Sequence, residues 1–244
     1  MRLAIMQPYF LPYIGYFQLM AAADRFVFLD DVNYINRGWI NRNRLRTPQG
    51  PAWFTLPLVG ASQNRLICEL DIKPDDGWKR SLDRTISTTY SKAPFYREVY
   101  PLFQEWLSAA SGNLAQFLSL NLMEIASWLG LGTQFVPSSS LHPKGELKGQ
   151  HRILDICQRE GADIYINPPG GRELYDSPVF SAAGVQLQFL RPELQTLQLA
   201  SAGEEGPVLS ILDLMMYNSQ EMLRQAAGSF HVEAALPLPP DTAS

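Results

Sequence analysis

Short apolar runs alternate along this chain with stretches of helical spacing, and their order predicts the fold class. Leu3 to Met6 is an apolar run that stops at Gln7-Pro8, where proline removes a ladder donor and ends a strand. From Tyr13 to Ala23 the spacing turns helical, with Ile14, Phe17 and Met20 or Ala21 on one face. Phe26 to Leu29 then reads as a second buried strand, so the N-terminus predicts a βαβ unit with its ligand edge at the strand carboxyl ends. Residues 30 to 50 are polar and basic and read as a loop. Ala52 to Leu58 predicts a strand, with Arg65 to Ile72 as its hairpin partner. Helical spacing follows over Trp78–Thr89, Phe95–Ala109 and Asn113–Leu129. The βα alternation resumes with strands at Gln134–Pro137, Asp163–Asn167 and Val185–Leu190, a helix over Gly149–Glu160, and a last helix over Leu209–Arg224. Together these predict an α/β protein with a mainly parallel sheet in a three-layer sandwich. Residues 1–232 form its single domain, with a hairpin and helical insertion at about 50–110. Residues 233–244 hold Pro237, Pro239 and Pro240 and predict a flexible tail.

Composition narrows the function. The 244 residues carry 46% hydrophobic and 18% charged side chains with a net charge of −4, which fits a soluble globular chain and gives a general nucleic-acid binder no electrostatic footing. Cys68 and Cys157 stand alone, without a CxxC, which fits a reducing compartment. Residues 3–23 are uncharged after Arg2, like a secretory signal. Gln7, Pro8, Pro12 and Gln18 break the stretch, so the chain is read as cytoplasmic and without membrane insertion.

Several segments carry candidate chemistry. Gln7 to Tyr16 links the first strand to the first helix, where α/β proteins present helix-start amides to anions. Within it Tyr13-Ile-Gly15-Tyr16 has the H-x-G-H spacing that nucleotidyl-transfer enzymes bring to ATP phosphates. Tyrosine replaces both histidines, and a phenol is neutral at pH 7. The fold expectation is therefore of nucleotidyltransferase/HUP-like kind, while packing of the loop explains the aromatics equally well. Asp30 and Asp31 end the second strand as paired carboxylates, fit for a general base, a ligand amine or ribose, or a turn. Arg37, Trp39, Asn41 and Arg42 lie in an NRGWINRNR loop suited to phosphate or carboxylate forks, sugar hydroxyls and ring stacking; a solvated basic face is the alternative. Lys148, His151 and Arg152 cluster at a glycine-flanked helix start, where cations disfavour an isolated helix and an anionic ligand accounts for them; an exposed basic turn is the alternative. Tyr165, Gly170, Gly171 and Tyr175 follow a buried strand, the glycines permitting ligand approach or a tight turn. No Walker A, G-x-G-x-x-G, G-x-S-x-G or HExxH motif occurs, and three histidines predict no metal site. Cys157 falls on an apolar helix face and reads as core.

The blocks IMQPYFLPYIGYFQLMAAADRFVFLDDVNYINRGWINRNRL, GQHRILDICQREGADIYINPPGGRELYD and LSILDLMMYN resemble the WbqC-like protein family over residues 3–219. The resemblance implies a role in bacterial surface-polysaccharide (O-antigen) biosynthesis, near nucleotide-linked amino sugars and their acyl or aminoacyl decoration. One departure is Leu194-Gln-Thr-Leu-Gln198, where a tyrosine is expected before the second glutamine. Two readings follow. In the first the chain is a group transferase moving an acyl, aminoacyl or nucleotidyl group to such a sugar or to a small amine. Asp31 or His151 is then the base, and arginines clamp phosphate or carboxylate. In the second it is a non-catalytic binding subunit that partners a biosynthetic enzyme. A homo-oligomer fits either reading; the cofactor is left open.

Overall fold

A computed structural model describes residues 1–47, 49–193 and 209–235. Its elements, in chain order, are β1 (Arg2–Met6), α1 (Ile14–Ala22), β2 (Arg25–Phe28), β3 (Arg42–Leu45), β4 (Ala52–Thr55), β5 (Leu58–Val59), β6 (Asp71–Ile72), α2 (Gly77–Tyr90), α3 (Tyr96–Ala109), α4 (Leu114–Trp128), β7 (Gln134–Val136), α5 (Gly149–Arg159), β8 (Ile164–Asn167), α6 (Ser177–Ala182), β9 (Gln186–Pro192), α7 (Ile211–Tyr217), α8 (Gln220–Ala227) and β10 (Phe230–Ala234). Short 3-10 turns occupy Ile67–Glu69, Ser139–Leu141 and Pro169–Leu174.

Six strands form the main sheet in the order β10-β9-β8-β1-β2-β7, parallel except for β10 against β9. Numbered along the chain from the β7 edge, the order is 3-2-1-4-5-6, and its direction reverses between β1 and β8. Open sheets of this kind bind ligands in the crevice outside the strand carboxyl ends at such a reversal. β1 is buried on both faces, which is why its sequence is a continuous apolar run rather than an alternating one. Its side chains still divide by face: Leu3 and Ile5 pack with Ile153, Ile156 and Cys157 of α5, and Ala4 packs with Phe17 of α1 and the helices beyond. Cys157 is a core residue, as expected.

α1 is apolar almost all round because the sheet lies on one side and α8 on the other. Its one buried polar residue, Gln18, donates from Nε2 to the carbonyls of Glu193 (3.0 Å), Ala226 (2.9 Å) and Ser229 (2.8 Å), fixing the turn between α8 and β10.

Four sequence expectations need correction. The polar stretch 30–50 contains β3, which pairs with β4, so the hairpin partner of β4 precedes it; Arg65–Ile72 instead supplies a 3-10 turn and β6, which pairs with β5. The segment outside the main sheet runs from 29 to 133, wider than the predicted insertion. The last helix is two, because Asn218 is extended and the Ser219 hydroxyl accepts from the Met222 amide to cap a new start. Glu233 and Ala234, predicted as tail, complete β10. The rest of the tail, 236–244, and the Leu194–Gln198 departure lie outside the described residues.

Candidate functional site

Two candidate regions lie on segments leaving the carboxyl ends of the parallel strands. The first is a cleft of about 470 Å³ lined by Leu29, Val32, Lys144, Lys148, Arg152 and Tyr175, among others. Its base is a buried polar network. Asp30 and Asp31 leave β2 beside the turn that follows β7, and Asp30 accepts from the hydroxyl of Ser138 (2.7 Å) and the amide of Ser139 (3.0 Å). The Ser139 oxygen accepts from the amides of Asp30 (3.1 Å) and Asp31 (3.3 Å) and donates to Asp31 Oδ1 at 2.6 Å. Asp31 Oδ2 pairs with Arg152 Nη2 at 2.8 Å, and Arg152 is only 2% exposed. The same Nη2 reaches the carbonyls of Ser139 and His142, both at 2.9 Å, while Nη1 reaches Asp155 at 3.1 Å. Arg152 Nε is buried without a hydrogen-bond partner among the described residues.

Asp31 therefore has both carboxylate oxygens engaged, and it holds Arg152 under the cleft. His151 is exposed and does not line the cleft, so the two expected acid–base residues are not brought together. Lys148 is exposed and forms no ion pair among the described residues, and Lys144 Nζ donates to the Asp31 carbonyl at 2.6 Å. Gly149, with φ of +53°, turns the chain into α5, and Lys148 offers that helix start no side-chain cap. The first α5 amides thus have no side-chain cap, and Gly149 and Gln150, which carry two of them, line the cleft.

Across the cleft, Tyr165 is fully buried beneath Tyr175, whose hydroxyl lies 3.3 Å from its own. Burial raises both phenols above their ordinary value. Of the two glycines only Gly171 is sterically required: a Cβ there would lie 2.2 Å from Asn167 Oδ1, whereas one at Gly170 meets nothing within 4 Å. Gly171→Ala is expected to cost about 1–3 kcal/mol in thermal unfolding, and Gly170→Ala is expected to leave the midpoint unchanged.

The second region is built from the β1–α1 loop and the β3–β4 hairpin. Tyr16 is core, with its hydroxyl donating to the Gln7 carbonyl at 2.8 Å and its phenol pushed well up by burial. Tyr13 lies over Gly15, where an added Cβ would sit 2.2 Å from its ring. Along β3 the chain alternates: Asn43 and Leu45 are buried, as Asn41 is just before the strand, and Arg42 and Arg44 are half-buried on the other face. Asn41 serves structure, accepting from the Tyr34 hydroxyl (2.9 Å) and donating to the Leu56 carbonyl (2.7 Å). Arg42 donates to the carbonyls of Gly38 and Arg37, the latter a residue with φ of +58°, and lies 4.1 Å over the Trp53 ring. Trp39 and Trp53 stand 5.1 Å apart and are 40% and 47% exposed.

The sequence reading overlooked Ser138 and Ser139 as partners of the paired aspartates and Trp53 in the second region; Tyr9 and Arg44 lay inside the segments it singled out but were not named as contacts. Among the described residues no group of three or more His, Cys, Asp or Glu is arranged to hold a metal ion, and no helix is long and apolar enough to cross a membrane.

Fold and cleft define an α/β protein with a parallel sheet, flanking helices and a cationic crevice at the carboxyl edge of that sheet. The chain belongs to the WbqC-like protein family, whose model matches residues 7–225. It is similar to an uncharacterized protein, Rv1507c, of Mycobacterium tuberculosis (strain ATCC 25618 / H37Rv), 31% identical over 216 residues that cover 88% of this chain and 92% of that one. No solved structure matches.

Proposed function

We propose that this protein binds a phosphate-bearing small molecule of the nucleotide-sugar class in the α5 cleft, as a cytoplasmic component of bacterial surface-polysaccharide biosynthesis. The observation that carries this reading is Lys148 and the uncapped start of α5 beside the buried Arg152. Lys148 and the helix-start amides are the uncompensated positive groups there, while the Arg152 charge is balanced by Asp31 and Asp155, which are thereby engaged themselves. The 3-2-1-4-5 core of the strand order supports the nucleotidyltransferase/HUP-like reading of the fold. Binding without proton transfer suits a subunit that presents its ligand to a partner enzyme. A second reading, acyl, aminoacyl or nucleotidyl transfer to a nucleotide-linked amino sugar, is favoured by the cleft's place beside the strand-order reversal.

Thermal unfolding with UDP-N-acetylglucosamine, pyrophosphate and uncharged N-acetylglucosamine tests the binding site. At a hundred times its dissociation constant a ligand adds about 2.7 kcal/mol, roughly 5–11 °C for a chain of this size. The two phosphate-bearing probes are expected to shift the midpoint, the free sugar to leave it in place, and Lys148→Glu to abolish the shift. Shifts that survive Lys148→Glu would sink the assignment. Turnover of the bound sugar nucleotide, followed by mass spectrometry and lost in Lys148→Glu, would favour transfer over binding.

A further inference from the structure

The second region holds a pocket of about 290 Å³ that the α5 cleft does not use, lined by Tyr9, Pro12, Tyr13, Trp39, Asn43 and Arg44. Its walls are aromatic. Its polar groups are few, and most are committed: Asn43 donates to the carbonyls of Leu11 (2.8 Å) and Phe10 (3.3 Å) and accepts from the Arg44 amide (2.8 Å). Arg44 differs. Its guanidinium lies 5.3 Å from the Trp39 ring and 5.4 Å from the Trp53 ring, and among the described residues it forms no ion pair and its water-shielded Nε has no hydrogen-bond partner. A buried donor left unmade is costly, and a guanidinium stacked on indoles keeps its edge free for an oxyanion.

We infer that this pocket binds a planar aromatic ring carrying an anionic group, with the ring against Trp39 and Tyr13 and the anion on Arg44. A free sugar ring fits less well, because each hydroxyl taken from water needs a partner, the Tyr9 hydroxyl already donates to Gln7 Oε1, and Arg44 and the Tyr13 hydroxyl are what the lining has left to supply one. A nucleoside monophosphate and an aryl carboxylate share the required chemistry. The inference does not depend on the α5 cleft, whose Lys148 is absent from this pocket.

Titration calorimetry on the full chain with AMP and with phenylacetate, each against its uncharged counterpart (adenosine, phenylacetamide), separates the two sources. At least one anion is expected to bind saturably and about tenfold more tightly than its counterpart, the ratio of one charge-assisted hydrogen bond. Arg44→Gln is expected to erase that preference at this site, Trp39→Ala to weaken both members of the pair, and Lys148→Glu to remove any second phosphate site while leaving one saturable site that depends on Arg44. AMP binding alone would assign the pocket to a nucleotide, and phenylacetate binding alone to an aryl acid. Absence of binding by both anions, an undiminished preference in Arg44→Gln, or loss of binding in Lys148→Glu would overturn the inference. Trp39→Phe, which keeps an aromatic wall and is expected to retain binding, guards against a misfolded alanine variant.

Discussion

Arg152→Met is expected to destabilise the protein by about 3–5 kcal/mol, the cost of leaving a buried carboxylate without its counter-charge. For a chain of this length that lowers the unfolding midpoint by roughly 6–20 °C. The reason lies in what Arg152 touches. One guanidinium nitrogen meets Asp31 and the carbonyls of Ser139 and His142, so a single side chain ties α5 to the end of β2 and to the turn after β7. Removal strands all three acceptors in a region where Asp31 is 5% exposed. The companion variant decides between charge and packing. Asp31→Asn in the Arg152→Met background removes the orphaned charge and is expected to recover a large part of the loss, giving a coupling well above that of independent sites. A single variant within about 1 kcal/mol of the parent would show that the pair is not the keystone its geometry implies. The same experiment bears on function, because a carboxylate whose chief effect is on stability is not poised to take a proton from a substrate.

The α/β architecture was legible because its signals are local. β1, β2 and β8 are short apolar runs ended by polar or proline residues, and α5 carries a clean apolar face, so their boundaries agree with the structure to within a residue or two. The insertion was read less well, and for a physical reason. β3 reads Arg-Asn-Arg-Leu, a strand whose buried face carries Asn43 rather than an apolar residue, so polarity hid its period. The buried asparagine is tolerated because the β1–α1 loop supplies two carbonyls to its amide, a partner thirty residues away that no local pattern announces. The site shows the same division. Asp30, Asp31 and Arg152 were singled out separately by charge and position, and the structure joins them. What joins them is Ser138 and Ser139, from an undistinguished serine run, and their part depends on β7 lying beside β2. Tyr16 and Tyr165, chosen as ligand contacts, are core residues whose rings fill space that any aromatic would fill.

Those buried phenols, together with one thiol, set the alkaline limit of stability. Desolvation raises Tyr16, Tyr90 and Tyr165 above the ordinary value of 10.0, and Asp213, accepting from the Tyr90 hydroxyl at 2.8 Å, adds to the rise there. Burial pushes Cys157 from 9.0 up to about 12. Each group keeps its proton in the folded chain at a pH where the unfolded chain has lost it. The folded state then binds more protons, and stability falls as pH rises. The contribution is therefore complete below pH 9 for the thiol and below pH 10 for the phenols, and is lost above those values at about 1.4 kcal/mol per group per pH unit. The four losses act in the same direction, so the decline steepens once the phenols join the thiol. Urea unfolding is expected to give a flat stability from pH 7 to 8.5, a shallow decline to pH 10 governed chiefly by Cys157 with a contribution from Cys68, and a steep one beyond it. Cys157→Ala should reduce the shallow phase, the remainder coming from Cys68, whose thiol burial also raises, and leave the steep one. A profile that stays flat through pH 11 would mean that these side chains reach water without unfolding, and the burial that defines both faces of the sheet would then have to be abandoned.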